Sequence, residues 1–293
     1  MKTKNLARYH WEGMTLKTLA EKAWVKFWEN SKSPASHLSN CKKVLATLGK
    51  GRDIRKISTE DIEKACVDWR SEGTSEKTCN RRLASLSRML TWAEQRGWIE
   101  RRPFIERFKE TGGRLRWQTD EEEAEMVRLL EAAGHSRFAD LVVFLAETGM
   151  RRGEALALTW DNVDFDQGWI RLWETKGGKA RSIPMTVKSR SILSTIDSWC
   201  TFYDGPFLSI KPSSFTDAWN AAKKKMGLAG ARGFTPHCLR HGFATRLVQA
   251  GVSIVTVKDL LGHAKIETTL IYAHLAPKNL EDAMSIFEGV RNA

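Results

Sequence analysis

Apolar residues recur every three to four positions along most of this chain, and one stretch, ERRPFIERFKETGGRLRWQ between about Glu100 and Gln118, breaks the rhythm. That spacing gives each segment one apolar face along an α-helix, and such faces must be packed against one another to be stable. Two groups of helices on either side of an aperiodic, arginine-rich connection point to two mostly helical domains. The length of 293 residues agrees, because one hydrophobic core usually serves about 100 to 200. Pro103, Gly112 and Gly113 mark the connection as a linker, with a boundary near residue 116.

A polar and basic tail (1–13) precedes a first domain that, with the basic linker, covers 14–112. Leu16, Leu19, Ala20, Ala23, Trp24, Phe27 and Trp28 form the stripe of its first helix. ISTEDIEKACVDW encodes a second, with Ser58 or Thr59 as cap, acids in the first turn and Ile62, Ala65, Cys66 and Trp69 inward, ending near Gly73. A third runs from about Ser75 to Gln95 on Leu83, Leu86, Met89, Leu90 and Ala93. Lys77, Arg81, Arg82 and Arg88 fall on its other faces. As a group they are candidate phosphate contacts, although each alone reads better as a solvated charge.

The second domain, 117–293, opens on a capping box, Thr119 with Glu122, leading a helix through Leu130. WIRLWET and RSIPM are β-favouring runs around KGGK, so a hairpin is expected over 169–185, turning at Gly177 and Gly178. The remainder reads as helix, giving a mostly α protein with one small β-hairpin or sheet.

Forty-seven Lys and Arg against 35 Asp and Glu leave a net charge of +12, which favours a polyanion such as nucleic acid as partner. No apolar run reaches the roughly 18 residues that span a bilayer, and MKTKNLARYHWEG lacks the apolar core of a signal peptide. No membrane partner and a cytoplasmic location are expected.

Phosphodiester transfer without a metal needs a nucleophile, cations on the phosphoryl oxygens, an acid for the leaving oxygen and hydrogen bonds that hold the geometry. The C-terminal half carries all four. ETGMRRGEALALTW presents Arg151 just past Gly149, which ends an apolar helix (Phe138 to Leu145). PHCLRHGFATRL sets His237 and Arg240 three apart on one helical face, and LLGHAKIETTLIYAHL supplies His263 and Tyr272. The five cysteines show no C-x-x-C pair. A zinc site of His237, Cys238, His241 and His263 lacks the Glu of H-E-x-x-H and a second ligand cluster, so neither metal nor cofactor is expected. His241 and His274 are assigned to structural hydrogen bonds.

The ordered set of Arg151, a hairpin lysine, H-x-x-R, G-H and Tyr272 resembles the tyrosine recombinase, or phage integrase, family over 117–290. The resemblance implies a small helical, SAM-like core-binding domain ahead of a catalytic domain, closing as a clamp on duplex DNA. It implies that Arg151 and Arg240 grip the scissile phosphate, with Glu154 as an orienting acid and Arg152 the rival of Arg151. Lys176 becomes the general acid, with Lys179 competing in the same turn. His237 assists proton transfer at the tyrosine or holds the phosphate, and His263 hydrogen-bonds a non-bridging oxygen. Tyr272 becomes the nucleophile, storing bond energy as a 3′-phosphotyrosyl link without ATP or metal.

The implied activity is DNA integration and recombination, for a phage or other mobile element. A Xer-type resolvase of DNA dimers is the alternative within the same chemistry, and a type IB topoisomerase fits the motifs less well. A DNA-binding regulator without catalysis is the alternative of a different class. The implied partners are a pair of inverted core sites per duplex, a homotetramer and accessory DNA-bending or directionality factors. NLEDAMSIFEGV, with Leu280, Ala283, Met284 and Phe287 on one face, is expected to form a C-terminal helix exchanged between protomers.

Overall fold

The computed structural model describes residues 13–31, 33–110, 115–173, 180–199 and 203–276, with 284, 287 and 288. The chain divides into two compact units, Met1–Gly112 and Gly113–Ala293.

In the first unit, α1 (Leu16–Ala23) is capped by Thr15, whose hydroxyl accepts from the Thr18 amide at 3.2 Å. The stripe expected to continue as one helix passes instead into a π-helical turn, Trp24–Trp28, closed by the Glu29 amide on the Trp24 carbonyl at 3.0 Å. There Phe27 meets Trp92 edge-on and Trp28 stacks on His37. A helix that the sequence reading passed over, α2 (Pro34–Leu48), follows. Only Cys41, Val44 and Leu48 of it are buried, too sparse a stripe to stand out. Helix α3 (Thr59–Ser71) carries the full capping box, Ser58 and Asp61 each accepting from the other's amide. Helix α4 (Glu76–Gln95) is capped by Ser75.

Trp69 is fully buried among these helices, and its indole N–H donates to the Thr47 hydroxyl at 2.8 Å. Asn80 is also buried, accepting from the Phe108 amide and donating to the Phe108 carbonyl, both at 2.9 Å. One amide side chain thereby fixes the extended segment after α4, satisfying both backbone groups of Phe108. Lys77, Arg81 and Arg88 are exposed on one face of α4. Arg82 departs from that set in being only partly exposed: its guanidinium lies 5.1 Å over the Trp69 ring and donates to Thr74. The cation over the ring makes Arg82 part of the packing, and Arg88, though exposed, likewise sits 4.4 Å over Phe27.

In the second unit α5 (Asp120–Ala132) opens on the Thr119–Glu122 capping box. Helix α6 (Ser136–Thr148) buries Leu141, Val142, Phe144 and Leu145, and ends on Gly149 at φ 61°. The short α7 (Arg152–Leu156) follows at once. The expected hairpin is the larger part of a three-stranded antiparallel sheet: β2 (Trp169–Leu172) pairs β3 (Arg181–Pro184) with Ile170 opposite Ile183. On its other edge β2 pairs β1 (Val163–Asp164), a strand of two residues that carries no periodicity of its own. Helices α8 (Val187–Trp199) and α9 (Pro212–Lys225) precede α10 (His237–Gln249) and α11 (Ile254–Leu261). A 3₁₀ segment, Leu270–Leu275, then carries Tyr272. Phe207, Phe215, Trp219 and Phe234 centre the main core. Tyr272 belongs to a smaller cluster with Ala244, Val248, Val257 and Leu261. Among the described residues no helix is long and apolar enough to cross a membrane.

Candidate active site

Two left-handed glycines and the N-terminal turn of α10 build the site. Gly149 lets the chain reverse after α6, and a side chain there would strike the Phe243 ring of α10. Gly262, at φ 63°, ends α11, where a Cβ would come within 2.7 Å of Arg181. Each turn thus needs glycine twice, for its backbone angle and for the side chain packed against it.

Arg240 joins the two turns. It is 2% exposed and donates to the Gly149 carbonyl at 2.7 Å and the Leu261 carbonyl at 2.5 Å. Arg181 of β3 donates through Nε to the Leu260 carbonyl at 3.1 Å. Two guanidinium groups therefore satisfy carbonyls that the end of α11 leaves without helical partners, and their charge suits that end of the helix dipole. Two of the five N–H donors of Arg240 serve these carbonyls.

Glu154 binds the same frame from α7. Its carboxylate accepts the Arg151 amide at 2.9 Å, the Arg151 side chain at 2.8 Å and Arg181 Nη2 at 2.6 Å. Burial pushes this carboxyl up, but Arg181 and Arg151 outweigh it and bring it down to about 2. Arg152, the rival of Arg151, turns away to donate to Thr216 of α9 at 2.7 Å. With Glu154 and Arg181 only 8% and 5% exposed, Glu154→Gln strands a buried cation. It is expected to cost the second unit about 3 to 5 kcal/mol, read as a fall in its urea midpoint; an unchanged midpoint contradicts the ion-pair role.

The histidines stand in this cationic field. His263 Nδ1 hydrogen-bonds the buried Thr269 hydroxyl at 2.8 Å, fixing the ring. Burial, then Arg240 and Arg151, lower His263 to about 4, and the same three causes lower His237. Arg240 itself is brought down to about 9 by burial and by Arg151 and Arg181, and so keeps its charge at neutral pH. His237 lies edge-on to His241, ring centres 4.7 Å apart. His241 Nδ1 is 2.6 Å from the Tyr272 hydroxyl. The hydrogen bond assigned to His241 as structural therefore falls on the candidate nucleophile. Tyr272 is 1% exposed, and burial pushes its phenol up to about 12 against the opposing effect of Arg240.

Arg151, Glu154, His237, Arg240, His263 and Tyr272 thus form one connected neighbourhood. Lys176 and Lys179 lie outside the described residues, as do most residues of the C-terminal helix expectation; Met284 is helical and exposed. Arg181 and His241 were missed as site residues. Only R-x-I-P in the second strand of the hairpin and the second His of HCLRH signalled them, and neither names a partner. Among the described residues no group of three or more His, Cys, Asp or Glu is arranged to hold a metal.

Depressed histidines have a consequence for stability. His241, lowered by burial, His237 and Arg240, and His263 both stand near 4 in the folded chain against an ordinary 6.5. Below 6.5 the unfolded chain takes up protons that the folded one refuses, so their contribution is whole above 6.5 and lost towards 4. The melting temperature of the second unit is expected to fall over that window, and His263→Gln to flatten the fall. A melting temperature that holds or rises on acidification contradicts these environments.

The family model described as "Phage integrase family" matches residues 119–279, and "Phage integrase, N-terminal SAM-like domain" matches 30–97. The integrase of Escherichia phage P2 is 30% identical over 234 residues, 79% of this chain and 65% of that protein. Tyrosine recombinase XerA of Pyrococcus furiosus is 32% identical over 170 residues, 59% of its length. This chain thus spans about three fifths of the length of these two relatives. Tyrosine recombinase XerD of Neisseria meningitidis serogroup A is 29% identical over 280 residues, 88% of this chain and 92% of that protein. In fold the chain is similar to a Tn1549 transposon integrase in complex with transposon right end DNA (TM-score 0.78, 19% identity, 95% of this chain and 100% of that one). It is also similar to a lambda integrase dimer bound to a COC′ core site (TM-score 0.74, 18% identity, 89% of this chain and 77% of that one).

Proposed function

Because the chain belongs to the phage integrase family, whose members are tyrosine recombinases, we propose that it is a site-specific DNA recombinase that cuts and rejoins strands through a 3′-phosphotyrosyl bond to Tyr272. The observation that carries this reading is the buried frame in which Arg240 ties the Gly149 turn to the end of α11, beside Arg151, His237, His263 and Tyr272. Three guanidinium groups and neutral imidazoles around the single carboxylate of Glu154 leave cationic charge over, which is what a phosphodiester requires. Guanidinium N–H groups donate to its non-bridging oxygens and stabilise the charge that grows in the pentavalent transition state. Glu154 holds Arg151 in register, and Thr269 engages Nδ1 of His263, leaving Nε2 as the nitrogen proposed to hydrogen-bond the phosphate. Lys176 is the proposed proton donor to the departing 5′ oxygen. Lys77, Arg81 and Arg88 add sequence-independent phosphate contacts from the first unit.

The role we assign is integration and excision of a phage or mobile element. It works on paired inverted core sites as a homotetramer that exchanges its C-terminal helices and recruits accessory DNA-bending or directionality factors. The match to XerD over 92% of that protein supports dimer resolution as a second reading. Nicked suicide duplexes made from DNA flanking the gene test the chemistry, and those carrying a dimer-resolution site separate the roles. A denaturation-resistant protein–DNA adduct formed in EDTA is the expected result. Binding without any adduct would instead favour a regulator.

A further inference from the structure

We infer that His241, and not His237, is the base that takes the phenolic proton of Tyr272 when the tyrosine attacks DNA. This assignment rests on the recombinase reading and names the proton's destination within it.

Contact comes first. The Tyr272 hydroxyl lies 2.6 Å from His241 Nδ1, a hydrogen bond between the 3₁₀ segment and α10 that, with His241 neutral and protonated on Nε2, the phenol donates. His241 lies one turn after His237 on that helix, while Ala244 and Val248, further along it, wall the pocket that buries the Tyr272 ring. Arg240 and Arg151, the pair proposed to hold the phosphate, both act on His237, whereas only Arg240 of that pair acts on His241, and His237 meets His241 only edge to ring. A division of labour follows from position: His237 is available to the phosphate and His241 to the nucleophile.

The electrostatics agree. A phenol whose ionisation is disfavoured by burial needs an acceptor already in contact. His241 is kept neutral by its own burial with His237 and Arg240, so Nδ1 offers a lone pair at neutral pH. A phosphodiester bound by Arg240 and Arg151 brings a negative charge into the same field, which favours the imidazolium. Substrate binding thereby strengthens the base only when the target is in place. In the step itself, the Tyr272 O–H bond breaks and its proton passes to His241 Nδ1. The phenolic oxygen forms the new bond to phosphorus, and the bond from phosphorus to the 5′ oxygen breaks, that oxygen receiving a proton from the general acid. On rejoining, the 5′ hydroxyl attacks phosphorus and the departing phenolate recovers its proton from His241.

The test uses the full-length protein on a nicked suicide duplex, comparing wild type, His241→Ala and His241→Gln for adduct rate, with DNA affinity measured alongside as a control for folding. His241→Ala is expected to cleave about 10²-fold more slowly at near-unchanged affinity, to be accelerated by added imidazole, and not to be matched by His241→Gln, which offers a hydrogen bond but no base. Variants that cleave as fast as wild type or faster, or a loss that imidazole does not relieve, overturn the assignment. So does rescue by glutamine. Wild type that binds its site and forms no adduct overturns the recombinase reading, and the assignment with it. Long-range ¹H–¹⁵N histidine spectra of the DNA-free protein give a readout independent of cleavage. His241 is expected to carry its proton on Nε2, with an Nδ1 signal that shifts in Tyr272→Phe, and a proton found on Nδ1 overturns the inference.

Discussion

Tyr272→Phe is expected to abolish covalent attachment to DNA while leaving site binding within a few-fold of wild type. The substitution deletes one oxygen and keeps the ring that packs against Val248, Val257 and Leu261. Its structural cost is the hydrogen bond to His241, on the order of 1 kcal/mol. The chemical loss is total, because no other group can form the intermediate from that position. Tyr203 is half exposed and belongs to the segment before α9, and Tyr9 lies outside the described residues. Gel-shift affinity and adduct yield on one suicide duplex check both halves together. Residual adduct would mean a different nucleophile.

The second large effect is expected at Arg240. Arg240→Lys keeps a cation but loses the planar fork, and one ammonium cannot both reach the carbonyls of Gly149 and Leu261 and present donors to a phosphate. Cleavage is expected to fall on the order of 10³-fold, the scale seen when a preorganised donor to a developing oxyanion is removed. Arg240→Ala should in addition destabilise the second unit by about 1 to 3 kcal/mol for each buried carbonyl left without its donor. Single-turnover cleavage at saturating protein, paired with denaturant melts, separates the two effects. Lysine at wild-type rate would show that Arg240 serves only the fold.

Much of this architecture was legible because it is local. The Thr119–Glu122 capping box fixes one helix start within a few residues of sequence, and for α3 the choice between Ser58 and Thr59 falls to Ser58. The Gly149 turn was readable too, since a glycine after an apolar helical stripe is the residue that tolerates a left-handed cap. What escaped depends on contacts that no periodicity carries. Helix α2 buries three residues and advertises little. Strand β1 exists because β2 offers it an edge. Arg82 shares the sequence character of Arg81, yet its place on α4 puts it over Trp69. Arg181 and His241 acquire their importance only when β3, α7, α10 and the segment bearing Tyr272 meet. Linear order could nominate the site, while the frame that positions it is tertiary.

That frame also explains why the candidate nucleophile is covered. Tyr272 is almost inaccessible and bonded to a neutral imidazole, with the cations of the site close by. Cationic charge on the site is thus assembled in advance, as the proposed binding of a phosphodiester requires.

The most direct test is to identify the linkage. Wild-type adduct formed in EDTA should be digested with nuclease and protease and the residual nucleotide located by tandem mass spectrometry. A nucleotide joined through its 3′ phosphate to Tyr272 is the predicted result. A nucleotide on any other residue, attachment through a 5′ phosphate, or an adduct that forms only when a divalent metal is restored would contradict the account.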